Sequence, residues 1–129
     1  MELLKAGAYQ LGIPVSDEQL DQFEVYFHEL ADWNKRANLT AIIEYDDVQV
    51  KHFLDSLTVC LTAGEALANS KNVPLRMIDV GAGAGLPGLA LKLVFPEIKL
   101  ALVESVAKKT AFLHHIVDKL SLESVSIYT

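Results

Sequence analysis

The stretch Leu75–Gly88, read LRMIDVGAGAGLPG, decides how the rest of this chain is interpreted. Leu75 to Val80 is a short, nearly continuous apolar run, which favours a strand covered on both faces, as in a parallel sheet. Four glycines follow within eight residues, and glycine permits positive φ angles and a close approach of a ligand to the backbone. The run Leu86–Val94 then predicts a helix, with Pro87 suited to its first turn. A strand, a glycine-rich loop and a helix in this order are typical of a nucleotide-binding unit.

Two known phosphate-binding loops can be compared with this stretch. Gly83, Gly85 and Gly88 satisfy the dinucleotide spacing Gly-x-Gly-x-x-Gly, and Glu104 follows at a suitable distance for contact with a ribose diol. The P-loop does not fit, because no Gly-Lys-Ser/Thr closes the run. A nicotinamide dinucleotide is therefore one ligand to consider, and a glycine turn with a purely structural role is the alternative that needs no ligand.

The ligand that the loop favours is S-adenosylmethionine (SAM). SAM-binding loops resemble Asp/Glu-x-Gly-x-Gly-x-Gly, and residues 79–85 read Asp-Val-Gly-Ala-Gly-Ala-Gly. Asp79 can place a carboxylate near the ammonium or sulfonium region of this cofactor, and Gly81 adds an early glycine to the dinucleotide spacing. Glu104 does not discriminate, because both cofactors carry a ribose diol. Asp79 and Gly81 thus favour SAM over a nicotinamide cofactor.

The composition of the whole chain limits its class. With 129 residues it forms at most one domain with a modest core, and 51% hydrophobic residues argue against disorder. The net charge of −6 argues against broad electrostatic capture of nucleic acid by this chain alone. The single cysteine, Cys60, excludes an internal disulfide and fits a reducing compartment. Since no signal peptide or membrane-length apolar run is recognisable, we expect a cytoplasmic protein without membrane contact.

Hydrophobic spacing predicts three helices before the glycine-rich stretch. They are expected at about Glu2–Leu11, Ser16–Lys35 and Tyr45–Leu61. Ser16 and Gln19 form a capping box at the start of the second helix. The inward positions of that helix are Leu20, Phe23, Phe27 and Leu30. Ala63–Pro74 is expected to be a linker between a helical extension, residues 1–70, and an α/β part, residues 71–129.

Two clusters in the helical extension carry more polar groups than packing requires. The first, residues 33–40, reads Trp-Asn-Lys-Arg-Ala-Asn-Leu-Thr, and a helix end followed by a capped turn explains it without a ligand. The second contains His52, Asp55 and Ser56, which share one face of a helix at i, i+3 and i+4. A catalytic triad is disfavoured because no nucleophile elbow accompanies it, and a metal site needs more ligands. Taken alone, the second cluster favours a structural network, and we expect no metal.

The three motifs together resemble one bacterial family. W-N-x-x-x-N-L-T, H-F-L-D-S and D-V-G-A-G-A-G-L-P-G occur in the order and spacing of the glucose-inhibited division protein B family. These are methyltransferases that act on guanine N7 of 16S ribosomal RNA, and the resemblance runs from about Leu20 to the end of the chain. It implies a class I SAM-dependent methyltransferase fold, α/β with a Rossmann-like and mostly parallel sheet, behind an N-terminal helical extension. Ala82 departs from the Ser or Thr expected in the family's loop.

The resemblance also implies roles for individual residues. Glu104 should accept hydrogen bonds from both ribose hydroxyls of SAM, and Asp79 should serve another polar end of the cofactor. The residues expected to bind SAM are Asp79, Gly81, Ala82, Gly83, Gly85, Leu86, Glu104 and Ser105. Guanine N7 has a lone pair and no proton, so methyl transfer needs alignment rather than a base. The candidates for closing over the site from the helical extension are Asn38, His52, Asp55 and Ser56.

The end of the chain predicts more of the same unit. Lys99–Glu104 is a second buried strand, Ser105 caps a helix that runs to Leu120, and Val125–Tyr128 is a third strand. Lys108, Lys109, His114 and His115 are expected at the surface of that helix. The resemblance implies the strand order 3-2-1-4-5-7-6, so this chain is expected to be truncated after the third strand.

Such a fragment has an open edge at strand 1, where self-association is expected. The intact enzyme is expected to methylate ribosomal RNA, whereas this chain alone is expected to be inactive. The alternatives are a NAD-dependent oxidoreductase and a non-catalytic fragment that binds a partner.

Overall fold

The sheet is the layer on which the rest of the molecule is assembled. It contains three parallel strands, β1 (Arg76–Val80), β2 (Lys99–Val103) and β3 (Val125–Tyr128), in the order β1-β2-β3. The parallel sheet and the neighbour order predicted for the first three strands are therefore confirmed. The computed structural model describes residues 1–69, 72–73 and 75–129.

Helices account for most of the chain before the sheet. They are α1 (Glu2–Gln10), α2 (Asp17–Ala37), α3 (Tyr45–Asp47), a π-helical segment (Val48–Leu54), α4 (Asp55–Leu57) and α5 (Cys60–Ala68). The predicted linker is wrong over its first half, because residues 63–68 continue α5 past a kink at Ala63. The third helix was predicted to continue to Leu61, but the helical segments that begin at Tyr45 end at Leu57, and a turn separates them from α5. Ser70, Lys71 and Pro74, and with them the predicted domain boundary, lie outside the described residues.

The start of α2 follows the sequence prediction closely. The Ser16 hydroxyl accepts a hydrogen bond from the Gln19 amide at 3.1 Å, and the Gln19 side chain accepts one from the Ser16 amide at 2.9 Å. The capping box is thus confirmed. The predicted inward face is wrong at one position, because Tyr26 is fully buried while Phe27 is only half-buried against Tyr45.

The π-helical segment is held to α1 by a buried amide. The side-chain oxygen of Gln49 accepts hydrogen bonds from the backbone amides of Leu3 and Leu4, at 3.0 and 3.1 Å. These amides belong to the first turn of α1, where helix geometry leaves them without an intrahelical partner. Gln49 therefore caps α1 from a distant part of the chain.

Two helices connect the strands, α6 (Gly88–Val94) and α7 (Ala107–Lys119). All seven residues of α6 are buried, because the helix lies between the sheet and the helices α2 and α4. Lys92 is tolerated there since its ammonium donates to the carbonyls of Pro96 and Ile98, at 2.6 and 2.5 Å. The start of α7 differs from the prediction, because its N-cap is Val106 and Ser105 makes no capping hydrogen bond.

The described helices cover only one face of the sheet. Leu100 and Leu102 point into the core, whereas Ile78 and Val80 on the opposite face are 68% and 77% exposed. The prediction that the first strand is covered on both faces is therefore wrong for this chain. Among the described residues β1 pairs with β2 alone, which leaves its other edge open. No described helix combines the length and apolar character needed to cross a bilayer.

Candidate functional site

The glycine-rich loop lies across the carboxyl ends of β1 and β2. The amides of Gly81 and Ala82 both donate to the carbonyl of Val103, at 2.8 and 3.1 Å, so the loop is fastened to the neighbouring strand. Gly81 and Gly83 have φ angles of +72° and +57°, which L side chains rarely adopt. Among the atoms that the structure describes, a Cβ at Gly81 would meet none within 4 Å, and one at Gly83 would meet only the Gly81 carbonyl at 3.9 Å. Gly81 and Gly83 therefore form an open backbone edge, which we call the loop edge.

The second half of the loop is packed rather than open. A Cβ at Gly85 would lie 2.4 Å from a methyl group of Leu89 and 2.8 Å from the hydroxyl of Tyr26. Gly85 also has a φ of +95°, and its amide donates to the Ala82 carbonyl at 2.8 Å. Gly85 is thus needed for packing against the protein itself. Ala82 is also buried, and Leu86 is half-buried.

Asp79 is the penultimate residue of β1 and is hydrogen-bonded to the start of α6. One carboxyl oxygen, Oδ2, accepts a hydrogen bond from the Gly88 amide at 3.0 Å. Partial burial raises the pKa of Asp79, and the hydrogen bond from Gly88 opposes this shift. Among the described residues, the other oxygen, Oδ1, makes no hydrogen bond within the chain. Asp79 therefore joins strand to helix with one oxygen and keeps the other available as an acceptor.

Glu104 follows β2 and is only 6% exposed. Its Oε2 accepts from the Val106 amide at 2.9 Å, and its Oε1 accepts from the Gly83 amide at 2.8 Å. These two hydrogen bonds lower the pKa of Glu104, so the carboxylate is ionised and held in place. Each carboxylate oxygen has a second lone pair for another donor. Glu104 is therefore not a solvent-exposed carboxylate at a strand end, whereas the adjacent Ser105 is exposed.

The cluster predicted on the third helix, His52, Asp55 and Ser56, lies in two different helical segments, the π-helical segment and α4. His52 lies in the π-helical segment, where i→i+5 hydrogen bonding replaces the α-helical period on which the prediction depended. The Ser56 hydroxyl is buried and donates back to the His52 carbonyl at 2.6 Å, whereas Asp55 is exposed. Asp55 acts on His52 through its charge, and among the described residues no hydrogen bond joins the three side chains to one another, so their shared face stays a prediction.

His52 instead contacts the other predicted motif. Its Nε2 lies 2.8 Å from the hydroxyl oxygen of Thr40, which also accepts from the Ile42 amide at 3.1 Å. Burial lowers the pKa of His52, against the opposing charge of Asp55 and a backbone hydrogen bond at Lys51. We call this contact the Thr40–His52 pair. It shows that the two motifs meet at one place in the helical extension.

The turn after α2 places Thr40 for this contact. Asn38 ends α2 in the left-handed conformation, with φ of +48°, and is exposed. The side-chain oxygen of Asn34 accepts from the Thr40 amide at 2.9 Å, which closes the turn. Among the described residues, no group of three His, Cys, Asp or Glu side chains could hold a metal ion.

Two aromatic positions were misjudged from the sequence. His114 is exposed as expected, but His115 is partly buried, with Nε2 2.8 Å from a carboxylate oxygen of Glu29 and its ring 5.0 Å from that of Trp33. Tyr26 was missed as a residue that contacts the loop. Its position three residues after Phe23, on the buried side of α2, is the signal that could have found it.

The first strand of this parallel sheet runs into a glycine-rich loop, and carboxylates lie at two neighbouring strand ends. This arrangement is typical of the nucleotide-type cofactor-binding class of α/β proteins. Comparison with known proteins narrows this class. The family model GidB, described as rRNA small subunit methyltransferase G, matches residues 19–129.

Curated relatives agree with the family match. A protein of Dehalococcoides mccartyi named Ribosomal RNA small subunit methyltransferase G is 50% identical over 127 residues, which cover 98% of this chain and 51% of the relative. Proteins of the same name from Roseiflexus sp. and Oceanobacillus iheyensis are each 44% identical, over 100% and 91% of this chain and 52% and 47% of their own lengths. The chain therefore belongs to the rRNA small subunit methyltransferase G family, which confirms the resemblance and the class I methyltransferase fold. It spans about half the length of the curated relatives it matches.

Proposed function

We propose that this chain is the SAM-binding part of an enzyme that methylates guanine N7 of 16S ribosomal RNA. The observation that carries the proposal is the loop edge beside the fixed carboxylate of Glu104, in a chain of this family. The names of the relatives state ribosomal RNA methylation. An enzyme acting on ribosomal RNA would work in the cytoplasm, in agreement with the single, unpaired cysteine.

The described residues fit the cofactor that this family implies. Gly81 and Gly83 leave open space where side chains would stand, so a ligand can approach their backbone closely. The Oδ1 atom of Asp79, near the end of β1, has no hydrogen-bond partner among residues 1–69, 72–73 and 75–129. The proposed SAM-binding residues are Asp79, Gly81, Ala82, Gly83, Gly85, Leu86, Glu104 and Ser105. Because Ala82 and Gly85 are buried, we expect them to act through the backbone rather than by side-chain contact.

Glu104 is the residue proposed to select a ribose. Its carboxylate is kept ionised by the amides of Val106 and Gly83, and a charged acceptor forms stronger hydrogen bonds with hydroxyl donors than a neutral one. The hydrogen bond to Gly83 also couples the carboxylate to the loop edge. A change at either residue is therefore expected to disturb the other.

The mechanism requires positioning more than proton transfer. SAM, when bound, supplies a methyl group activated by an attached sulfonium. Guanine N7 presents a lone pair without a proton, so the chain needs no general base at this atom. Its contribution is alignment of the reacting groups by the loop edge, Asp79 and Glu104. We propose that the helical extension closes over the site with four residues, Asn38, His52, Asp55 and Ser56. Thr40 positions His52 for this role.

The test is calorimetric titration of the 129-residue chain with SAM and, in parallel, with NAD. Binding of SAM without binding of NAD supports the proposal. Binding of NAD alone would replace it with the oxidoreductase alternative, for which the spacing of Gly83, Gly85 and Gly88 is suitable. Binding of neither cofactor would contradict it and favour a non-catalytic, partner-binding role.

Self-association at β1 is part of the same proposal. Within the described part of the chain, the backbone groups on one edge of β1 have no strand partner, and Ile78 and Val80 of this strand are exposed apolar residues. We expect the chain to sediment as a dimer or larger species and Ile78→Lys to shift it toward the monomer. We also expect no methylation of 16S ribosomal RNA by this chain alone. A stable monomer would contradict the expected self-association at β1. Measurable methylation would contradict the expectation that this chain alone is inactive.

A further inference from the structure

Tyr26 connects the helical extension to the glycine-rich loop. It lies within α2, its side chain is fully buried, and its hydroxyl donates a hydrogen bond to the Ala84 carbonyl at 2.5 Å. The two residues are 58 positions apart in the sequence. A loop carbonyl is therefore held by a helix that does not belong to the strand-loop-helix unit.

The phenol ring of Tyr26 has little freedom to move. It packs against Phe53 of the π-helical segment, with ring centroids 5.1 Å apart, and against Phe112 of α7, at 6.4 Å. Burial raises the pKa of Tyr26, and the charge of Asp79 raises it further, so the hydroxyl stays protonated and acts as a donor. Three separate helical elements thus determine where this donor lies.

The Tyr26 hydroxyl contacts the glycine-rich loop close to where the loop leads into α6. A Cβ at Gly85 would lie 2.8 Å from the Tyr26 hydroxyl, so the phenol packs directly under the Ala84–Gly85 peptide. The Gly85 amide donates to the Ala82 carbonyl at 2.8 Å, which links this peptide to the loop edge. Rotation of the Ala84 carbonyl would therefore displace the backbone that precedes it.

We propose that Tyr26 is a positioning residue for SAM, whose hydroxyl holds the Ala84–Gly85 peptide in the orientation that presents the loop edge to the cofactor. Tyr26 then contributes to cofactor affinity from the helical extension without touching the cofactor. This inference rests on the proposed function, because it assigns Tyr26 a role toward the cofactor of that function.

The substitution that tests it is Tyr26→Phe, which removes one hydroxyl and keeps the ring. The matched control is Phe23→Leu, on the same helix and in the same aromatic cluster, with Phe23 and Phe53 ring centroids 4.9 Å apart. We expect Tyr26→Phe to raise the calorimetric Kd for SAM about three- to tenfold, the range of one neutral hydrogen bond. Phe23→Leu should lower the urea midpoint and leave the Kd unchanged. A lower midpoint for both variants with no change of Kd in either would mean that Tyr26 is merely structural, and would overturn the proposal.

Two further measurements separate this inference from the proposed function. If the wild-type chain does not bind SAM, the proposed function fails, and amide hydrogen exchange without ligand still tests the positioning. Tyr26→Phe should then speed exchange at Gly83 and Gly85 at least about threefold over Phe23→Leu, in proportion to the lost hydrogen bond. Equal rates would overturn the positioning role. If Tyr26→Phe does not fold, the wild-type chain labelled with 3-fluorotyrosine is used instead. The fluorine NMR resonance of the buried Tyr26 should shift when the chain is saturated with SAM. An unchanged resonance would overturn the proposal.

Discussion

The glycine-rich loop and the Thr40–His52 pair both come from sequence motifs, but the folded chain uses the two in different ways. The loop is built from backbone: its amides bind the Val103 carbonyl and the Glu104 carboxylate, and its glycines adopt positive φ. The pair is built from side chains that meet across 12 positions in sequence. The glycine spacing that permits the positive φ angles of the loop is encoded locally, whereas the contact between the Thr40 and His52 side chains depends on how the helices pack.

The loop should therefore be sensitive to small changes that leave the pair unaffected. The largest expected effect is on the affinity for SAM. Gly83→Val places a β-branched side chain at a φ of +57°, and Glu104→Ala removes a charged acceptor. Each substitution should weaken calorimetric binding at least about tenfold. Glu65→Ala, at an exposed acid on α5, is the control and should bind normally. Unchanged affinity in both loop variants would contradict the assignment of the loop to SAM.

The second effect concerns stability at the junction of loop and helix. A Cβ at Gly88 would lie 2.9 Å from the Asp79 carboxylate and 3.1 Å from Leu102, so Gly88→Ala should cost about 1–3 kcal/mol of unfolding free energy. Gly64→Ala is the matched control, since a Cβ there meets no described atom within 4 Å, and alanine favours a helix. Urea unfolding measures both. Equal stability of the two variants would show that the loop junction is less tightly packed than described.

The third effect is a pH dependence of opposite sign at the two strand ends. The pKa of Glu104 is lowered in the folded chain, so its contribution to stability is present above its ordinary value near 4.5 and is lost as pH falls through the folded pKa. The pKa of Asp79 is raised, so its contribution is present below 3.8 and is lost as pH rises through the folded pKa. Urea unfolding between about pH 3 and pH 6 should show the two slopes. Glu104→Gln should reduce the loss of unfolding free energy as the pH falls, and Asp79→Asn should increase it. If both substitutions changed this pH dependence in the same direction, the opposite pKa shifts of the two acids would be contradicted.

The smallest effect is expected at the Thr40–His52 pair. Asp55 is exposed and raises the pKa of His52 by its charge, so Asp55→Asn should lower that pKa further while changing the unfolding free energy by less than about 0.5 kcal/mol. A proton NMR titration of His52, with a thermal melt of each variant, measures both quantities. A melting temperature several degrees lower would mean that Asp55 ties the extension to the core.

His52 itself adds a pH dependence of known sign. Its pKa is lowered by burial, so its contribution to stability is present above its ordinary value of 6.5 and is lost as pH falls through the folded pKa. His52→Gln should remove this part of the slope while Asp55→Asn retains it. A slope that persists unchanged in His52→Gln would place the titration at another group.

Local patterns predicted much of the fold. The capping box of Ser16 and Gln19 and the strand Val125–Tyr128 are found where the sequence places them, because each depends on neighbouring residues or on a period of two. The predicted boundaries of the third helix were wrong. The π-helical segment packs against α1, and α4, which ends at Leu57, packs against α6. These tertiary contacts are not visible in the local sequence pattern. Ser105 does not cap α7, and the neighbouring Glu104 carboxylate accepts from the amide of the N-cap residue Val106 instead.

The sequence by itself determined the glycine-rich loop, the order of elements around it and the acids at two strand ends, because glycine spacing and apolar periodicity act through local backbone geometry. Only the tertiary structure decided which side chains hold that loop. Tyr26 reaches Ala84 of the loop because α2, the π-helical segment and α7 pack together. The packing of α2 beside the π-helical segment also brings His52 to Thr40 within the helical extension. Contacts between residues far apart in sequence depend on the crossing of helices, which no local pattern specifies.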